Sequence, residues 1–193
     1  MSSGRINLLK YNIVGISGPI GSGKDTVANW IARNSHQQYN IVSFATPLRD
    51  AAKAMFGWSD FQLQDRVAKE QVDPFWGFSP RTALQLLGTE YGRQKLRDDV
   101  WILAAKRKVD QNHSVGIHTV IQDVRFQNED EFVRSYPNHL RIYMDSNESH
   151  PTSTHVSEAG VPFQSGDIVI YNDKSKGLVA LENVLNTLFS FGD

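Results

Sequence analysis

Gly15-Ile16-Ser17-Gly18-Pro19-Ile20-Gly21-Ser22-Gly23-Lys24-Asp25-Thr26 is the stretch that decides the fold. An apolar run from Tyr11 to Ile16 leads into it, and Val27, Trp30 and Ile31 follow at helical spacing. A strand, a glycine-rich turn and a helix therefore stand in direct succession. The spacing from Gly18 to Gly23-Lys24 is that of a phosphate-binding P-loop. Glycines let the backbone fold so that successive N–H groups point at an anion. The helix adds its positive N-terminal end, and the lysine reaches the outer phosphates. Gly18, Gly21, Ser22, Gly23, Lys24, Asp25 and Thr26 are thus the candidate nucleotide-binding residues. At ordinary residue usage such a spacing arises by chance in about one chain in twenty of this length. A strand before it and a helix after it cut that chance several-fold. One position departs from the common motif: Asp25 stands where Ser or Thr usually ligates magnesium, and Thr26 comes one residue late.

Composition narrows the class. A chain of 193 residues with 40% hydrophobic residues can bury the core of one domain. The net charge of −1 and pI near 6.6 give no basic surface for a nucleic-acid polymer. The absence of cysteine rules out disulfides, zinc–thiolate sites and thiol catalysis. Met1 to Lys10 lacks a secretory apolar region, and no apolar run approaches membrane-spanning length, so no membrane partner and a cytoplasmic location are expected.

Outward from the loop, strands are expected at 12–17, 41–45, 118–122, 139–144 and 167–171, each a short apolar or β-branched run. Between them lie helical patterns. The first fades near Asn34-Ser35. The second opens with Thr46 as N-cap and Pro47 at the first helical position, and stops at Gly57. Ser79-Pro80 repeats that signal and opens a helix carrying Ala83, Leu87 and Tyr91. Gly88 within it costs about 1 kcal/mol against alanine, which suggests close packing or ligand approach. Asp98 or Asp99 caps a helix running to about Val109, 127–135 forms a short one, and Leu178, Leu181, Leu185 and Leu188 mark the last. Residues 1–10 read as a short polar lead, 58–78 are irregular and aromatic, and 145–162 read as a loop. Strands alternating with helices give an α/β fold with a parallel sheet covered on both faces.

Several residues outside the loop could serve chemistry. Asp123 ends the third strand, where a carboxylate can hold a magnesium-bound water; capping the next helix is its plainer role. Arg125 would point into the crevice beyond the strand ends, where its fork suits a phosphate, against a surface ion pair with Glu129 or Asp130. Arg49, Arg66, Arg81, Arg93 and Arg97 crowd the middle of the chain. Arg81 lies in the first turn of a helix, an unfavourable place for a cation unless an anion is near. Phe75, Trp76 and Phe78 either stack a base or, more commonly for loop aromatics, pack on the core. Lys106-Arg107-Lys108 reads as a solvated helix face, and a metal pair from His150 and His155 is only a remote option.

These residues together resemble the bacteriophage deoxynucleoside monophosphate kinases, a branch of the P-loop nucleotide kinases. The resemblance covers most of the chain. It rests on Gly18 to Thr26, Ser43-Phe-Ala-Thr-Pro-Leu48, Ser79-Pro-Arg-Thr-Ala-Leu-Gln-Leu-Leu-Gly-Thr-Glu-Tyr-Gly-Arg93, Asp99-Val-Trp101, Asp123-Val-Arg-Phe-Gln-Asn-Glu129 and His155-Val-Ser-Glu158. The Asp after the P-loop lysine is a feature this branch resembles. More distantly the chain is similar to adenylate kinase, whose threonine also comes two places after the lysine.

The resemblance implies one P-loop kinase domain over 1–193, a three-layer α/β/α fold with a five-stranded parallel sheet in the order 2-3-1-4-5. Residues 46–97 would form a helical monophosphate-binding insertion and 145–162 a lid-like loop, which lacks the arginines a lid normally brings. It further implies ATP as donor, Mg²⁺ as cofactor, a deoxynucleoside 5′-monophosphate as acceptor and a homodimer, in a host cytoplasm if phage-encoded. Lys24, Asp25, Asp123 and Arg125 are the candidate catalytic residues, and Asp25, Thr26 and Asp123 the metal side. Arg81, Gly88, Arg93, Trp101 and Arg125 are the candidate acceptor residues. Arg125, Arg134 or a helix residue would stand in for the missing lid arginines. Two alternatives share the core: a P-loop kinase of another small acceptor, similar to dephospho-coenzyme A kinase, and a non-catalytic ATP-gated interaction protein.

Overall fold

A computed structural model describes residues 4–147 and 160–192. The strands of its main sheet are β1 (Ile13–Ser17), β2 (Tyr39–Val42), β3 (His118–Ile121), β4 (His139–Ser146) and β5 (Ile168–Asn172). The helices are α1 (Lys24–Asn34), α2 (Thr46–Phe56), α3 (Asp60–Gln64), α4 (Pro80–Gln85), α5 (Val100–Ser114), α6 (Gln127–Arg134) and α7 (Gly177–Leu188), with a π-helical continuation of α4 over Leu86–Leu96. The chain divides into two compact units, Met1–Val42 with Lys108–Asp193, and Ser43–Arg107.

In the first unit all five strands run parallel in the order β2-β3-β1-β4-β5. This is the order that the family resemblance implies. β1 lies at the centre, with Val14 between Val120 and Leu140 and Gly15 between Ile121 and Arg141. Side chains alternate faces along a strand. Val14, Ile16, Val120, Ile142, Met144 and Ile170 therefore share one face, where Val27 and Ile31 of α1 and Leu181 and Leu185 of α7 join them in one buried cluster. Burying one such side chain fully contributes roughly 1.5–3 kcal/mol, so this cluster fixes where α1 begins and hence where the P-loop lies.

On the opposite face Gly15 is bare, and α6 uses the space. A Cβ there would stand 2.9 Å from Val133 and 2.9 Å from the Arg141 guanidinium. Arg141 is almost wholly buried. Its Nε donates to Asp130 at 2.5 Å, and its Nη1 donates to the Gly15 carbonyl. Asp130 also receives Arg134 Nε at 2.6 Å, and Arg134 in turn grips both Asp167 oxygens at 2.8 and 2.9 Å. Asp130 of α6 thus faces inward. Glu129 likewise turns back to take the Arg125 and Phe126 amides at 2.7 and 3.2 Å.

Several boundaries differ from expectation. β2 starts at Tyr39 and stops at Val42 rather than spanning 41–45. Ser43 ends it: its carbonyl receives the Thr46 amide and its hydroxyl receives the Ala45 amide and Arg49, which closes a turn. α5 continues five residues past Val109, because the stripe Ala105, Val109 is extended by the polar Asn112, buried and donating to Thr119. The lead is not merely polar. Leu8 is fully buried, and Ile6–Asn7 pairs in parallel with Phe189–Ser190.

The second unit is helical with its own core of Ala52, Trp58, Leu63 and Ala83. The irregular span contains α3, opened by a Ser59–Gln62 capping box. Phe56, Trp58, Trp76 and Phe78 pack together with ring centroids 4.5–6.3 Å apart. Asp73 organises the loop by accepting Trp58 Nε1 at 2.7 Å and the Phe75 amide at 2.9 Å. Phe75 meets only the edge of this group, 4.9 Å from Trp76, and is 83% exposed.

The buried ion network yields a stability prediction. Removing Asp130 strands the Arg141 guanidinium in the interior, and breaking such a pair typically costs about 3–5 kcal/mol. Asp130→Ala should lose that much in urea unfolding; a loss within about 0.5 kcal/mol, as for a surface change, would show that the network is incidental.

Candidate active site

The loop leaving β1 is shaped by three glycines in left-handed backbone, Gly18 (φ 129°), Gly21 (φ 76°) and Gly23 (φ 102°). Only glycine adopts these freely. Gly18 has a second constraint: a Cβ would lie 2.1 Å from the Met144 carbonyl oxygen of β4. At Gly23 the obstacle is Asn172 of β5, whose Nδ2 would be 2.7 Å away. Gly23 is also the N-cap of α1, so Lys24, Asp25 and Thr26 form the first turn of that helix.

Lys24 lies over the loop, its ammonium donating to the Gly18 and Pro19 carbonyls at 2.7 and 2.6 Å. Burial pulls its pKa down from 10.5 to about 8, and the positive charge of Arg125 pushes the same way, while Asp25 and Asp123 oppose them. The structure therefore brings the four candidate catalytic residues into one electrostatic neighbourhood. Asp123 is buried just past β3, where the Val124 amide donates to Ile16 of β1 at 3.1 Å and holds the segment against the base of the loop. Arg125 extends into solvent. Its two alternative carboxylate partners are otherwise engaged, Glu129 by backbone amides and Asp130 by Arg141 and Arg134. Arg134, a possible stand-in for a lid arginine, is held by Asp130 and Asp167.

Two hydroxyls at the loop, Ser17 Oγ and Ser22 Oγ, are buried with no hydrogen-bond partner among the described residues. A buried donor left unmatched is costly, so such groups mark a place built for a polar ligand. No cluster of three or more His, Asp or Glu side chains gathers as a metal centre among the described residues. His150, His155 and most of the lid-like loop lie outside the described residues. Among the described residues no helix is long and apolar enough to cross a membrane.

In the second unit, Ser79 caps α4 and Pro80 opens it, as the sequence indicates. Arg81 in the first turn has an anion beside it: it pairs with Glu70. Past Gln85 the helix widens into an eleven-residue π-helix, a form usually confined to single turns and often found at functional positions. Trp101 supplies a cause. Its indole N–H donates to the Gly88 carbonyl at 2.7 Å, and a Cβ on Gly92 would meet the indole at 2.9 Å. Gly88 itself packs closely, its Cβ position lying 2.8 Å from Leu48. Arg93 is buried, donating to the Asp98 carbonyl at 2.8 Å. Trp101 is therefore tied to Gly88, Arg93 to Asp98 further along, and Arg81 stands at the start of the helix.

Sequence reading missed Asn172, which donates to the Ser22 carbonyl at 3.0 Å. The signal was present: a polar residue closing the apolar run Ile168-Val-Ile-Tyr-Asn172, the same signal that singled out Asp123.

Comparison with known proteins points to one family. The family profile of deoxynucleotide monophosphate kinase matches residues 56–183. A curated protein of Acanthamoeba polyphaga mimivirus, described as a deoxynucleotide monophosphate kinase, is 31% identical over 84% of this chain and 89% of its own. The deoxynucleoside-5′-monophosphate kinase of Escherichia phage T5 is 28% identical, covering 78% of this chain and 85% of its own. Among solved structures, a Chloroflexus aurantiacus protein described as a kinase superposes with a TM-score of 0.48 at 11% identity, over 94% and 98% of the two chains. That last likeness carries no argument. The P-loop, the acidic and basic groups around Lys24 and the sequence match across two thirds of the chain lead to one conclusion: the chain belongs to the deoxynucleotide monophosphate kinase family of phosphotransferases.

Proposed function

We propose that this chain moves the γ-phosphate of ATP onto the 5′-phosphate of a deoxynucleoside monophosphate, giving ADP and a deoxynucleoside diphosphate. One P–O bond forms to an acceptor oxygen and one breaks at the bridge to ADP. The observation that carries the reading is the gathering of Asp25, Asp123 and Arg125 around a P-loop lysine already set over its loop. The acceptor phosphate is an anion at neutral pH, so no strong base is needed. Catalysis then consists of positioning and charge neutralisation.

The roles follow from the groups each residue offers. The amides of Gly18, Gly21, Ser22 and Gly23 and the ammonium of Lys24 hold the donor phosphates. Asp25, Asp123 and the Thr26 hydroxyl form a hard oxygen set, which suits Mg²⁺ and leaves its other positions to water and phosphate oxygens. Such an ion would neutralise charge between the carboxylates and the triphosphate. Arg125, exposed and with its nearby carboxylates engaged elsewhere, neutralises the transferred group. In the second unit Arg81 receives the acceptor phosphate by exchanging Glu70 for it. Gly88, Arg93 and Trp101 shape the acceptor region, Trp101 with its ring and Arg93 from within. The resemblance alone supports the remaining parts: a homodimer, working in the cytoplasm, of a host cell if phage-encoded.

Three measurements test this. Incubated with ATP and each of the four deoxynucleoside monophosphates, the protein should release ADP with at least one, well above ATP alone; no acceptor-dependent release would refute the assignment. Asp25→Ala should lower turnover by about a hundredfold or more and weaken the dependence on Mg²⁺, whereas near-normal turnover at ordinary magnesium would remove Asp25 from the site. The third concerns Lys24, which must be charged to hold phosphate. Because its pKa in the folded protein is near 8 rather than 10.5, kcat/KM for ATP should fall about tenfold per pH unit above 8. The unfolded chain keeps that proton up to pH 10.5, so this residue's contribution to stability rises between the two values. Lys24→Met should therefore raise the melting temperature at pH 7, with the gain shrinking by pH 10; a lower melting temperature at pH 7 would contradict the burial argument.

A further inference from the structure

The loop is held not only by its own glycines but by the end of the sheet's edge strand. Asn172 closes β5, is 8% exposed, and its Nδ2 donates at 3.0 Å to the Ser22 carbonyl within the P-loop. The contact joins residues 150 positions apart and is buried. Ser22 and Gly23 share one peptide unit, and the described chain has no cis peptide bond. In a trans peptide the C=O and N–H point in opposite directions. Fixing the Ser22 carbonyl against Asn172 therefore turns the Gly23 N–H away from Asn172. The neighbouring bonds leave that N–H available: the Ser22 amide goes to Pro19 at 3.2 Å and the Gly23 carbonyl receives Val27 at 3.1 Å. Gly23 is also the one residue that fits here, since any Cβ would collide with the same amide nitrogen.

We propose that Asn172 is a positioning residue for the donor phosphate: by gripping the Ser22 carbonyl it orients the Ser22–Gly23 peptide so that the Gly23 N–H is presented to the triphosphate. The inference rests on the kinase reading above, because it needs a phosphate in the loop. It predicts an effect confined to the donor side. A peptide free to rotate must be ordered when phosphate binds, and that cost falls on donor affinity. The acceptor makes no use of this peptide.

The test uses the whole protein with Asn172→Leu, similar in shape but without the donor, and Asn172→Asp, isosteric but unable to donate to a carbonyl when ionised. Binding of inorganic tripolyphosphate is read by calorimetry and, separately, KM is measured for ATP and for the monophosphate. Both variants should bind tripolyphosphate about tenfold more weakly, the loss of one well-made hydrogen bond. KM for ATP should rise in parallel, while KM for the monophosphate stays within about twofold. A residue that merely holds β5 in place would lower the melting temperature and leave the two KM values in their original ratio. Unchanged tripolyphosphate affinity in whichever variant folds, or KM values that rise together, overturns the proposal. If neither variant folds, Asn172 is structural and the proposal fails as well. Tripolyphosphate binding needs no turnover, so an inactive wild-type protein would count against the kinase reading without deciding the role of Asn172.

Discussion

The close approach of Gly18 to the Met144 carbonyl is the constraint on which the rest depends. At the position where any other residue would carry its Cβ, the β4 oxygen stands 2.1 Å away. The loop can therefore leave β1 only as a bare backbone pressed against the neighbouring strand. That contact fixes the direction in which the chain turns. Asn172 on β5 fixes the far side of the same loop, and the buried packing of Val27 and Ile31 fixes the helix that follows. Three strands and one helix thus converge on nine residues. Lys24, carried on the first turn of that helix, has no course left but over the loop carbonyls.

The cost of this arrangement is borne by Lys24 itself. Burial works against its charge, and Arg125 adds repulsion. Asp25 and Asp123 relieve part of the strain. A cluster with two cations and two carboxylates is poised for a partner carrying several negative charges and a divalent ion, since each charge then finds an opposite neighbour. This gives Asp25 a physical reason to stand where the commoner motif has a hydroxyl residue. Its carboxylate offsets the buried charge of Lys24 before any ligand arrives.

Local signals made most of the first unit legible. The P-loop spacing and five β-branched runs, and in the second unit the Ser79-Pro80 cap, each needed only neighbours in sequence and stand close to where they read, with β2 shifted to Tyr39–Val42 because Ser43 folds a turn onto itself. Side chains that act across the fold were not legible. Arg141 carries no signal of its own and Asp130 reads only as a surface partner for Arg125, yet they meet beneath the sheet because Gly15 leaves room for a guanidinium. The π-helix over Leu86–Leu96 was equally hidden. The pattern there is helical, and what widens it is Trp101, ten or more positions away from Gly88, taking a carbonyl from outside the helix. Aromatic residues of 58–78 gave no period because they assemble a small core among themselves.

The family profile, over residues 56–183, does not include the loop, so the donor half rests on the loop's own geometry and charge arrangement. The residues proposed for the acceptor half lie in the second unit and are already engaged there, Arg81 with Glu70 and Trp101 with Gly88. The fate of the transferred phosphorus tests the whole account most directly. With ATP, Mg²⁺ and a deoxynucleoside monophosphate, ³¹P NMR should show the acceptor's single phosphate resonance replaced by the coupled α and β pair of a deoxynucleoside diphosphate, in step with ADP. ADP formed together with free inorganic phosphate, the monophosphate resonance remaining unchanged, would contradict it.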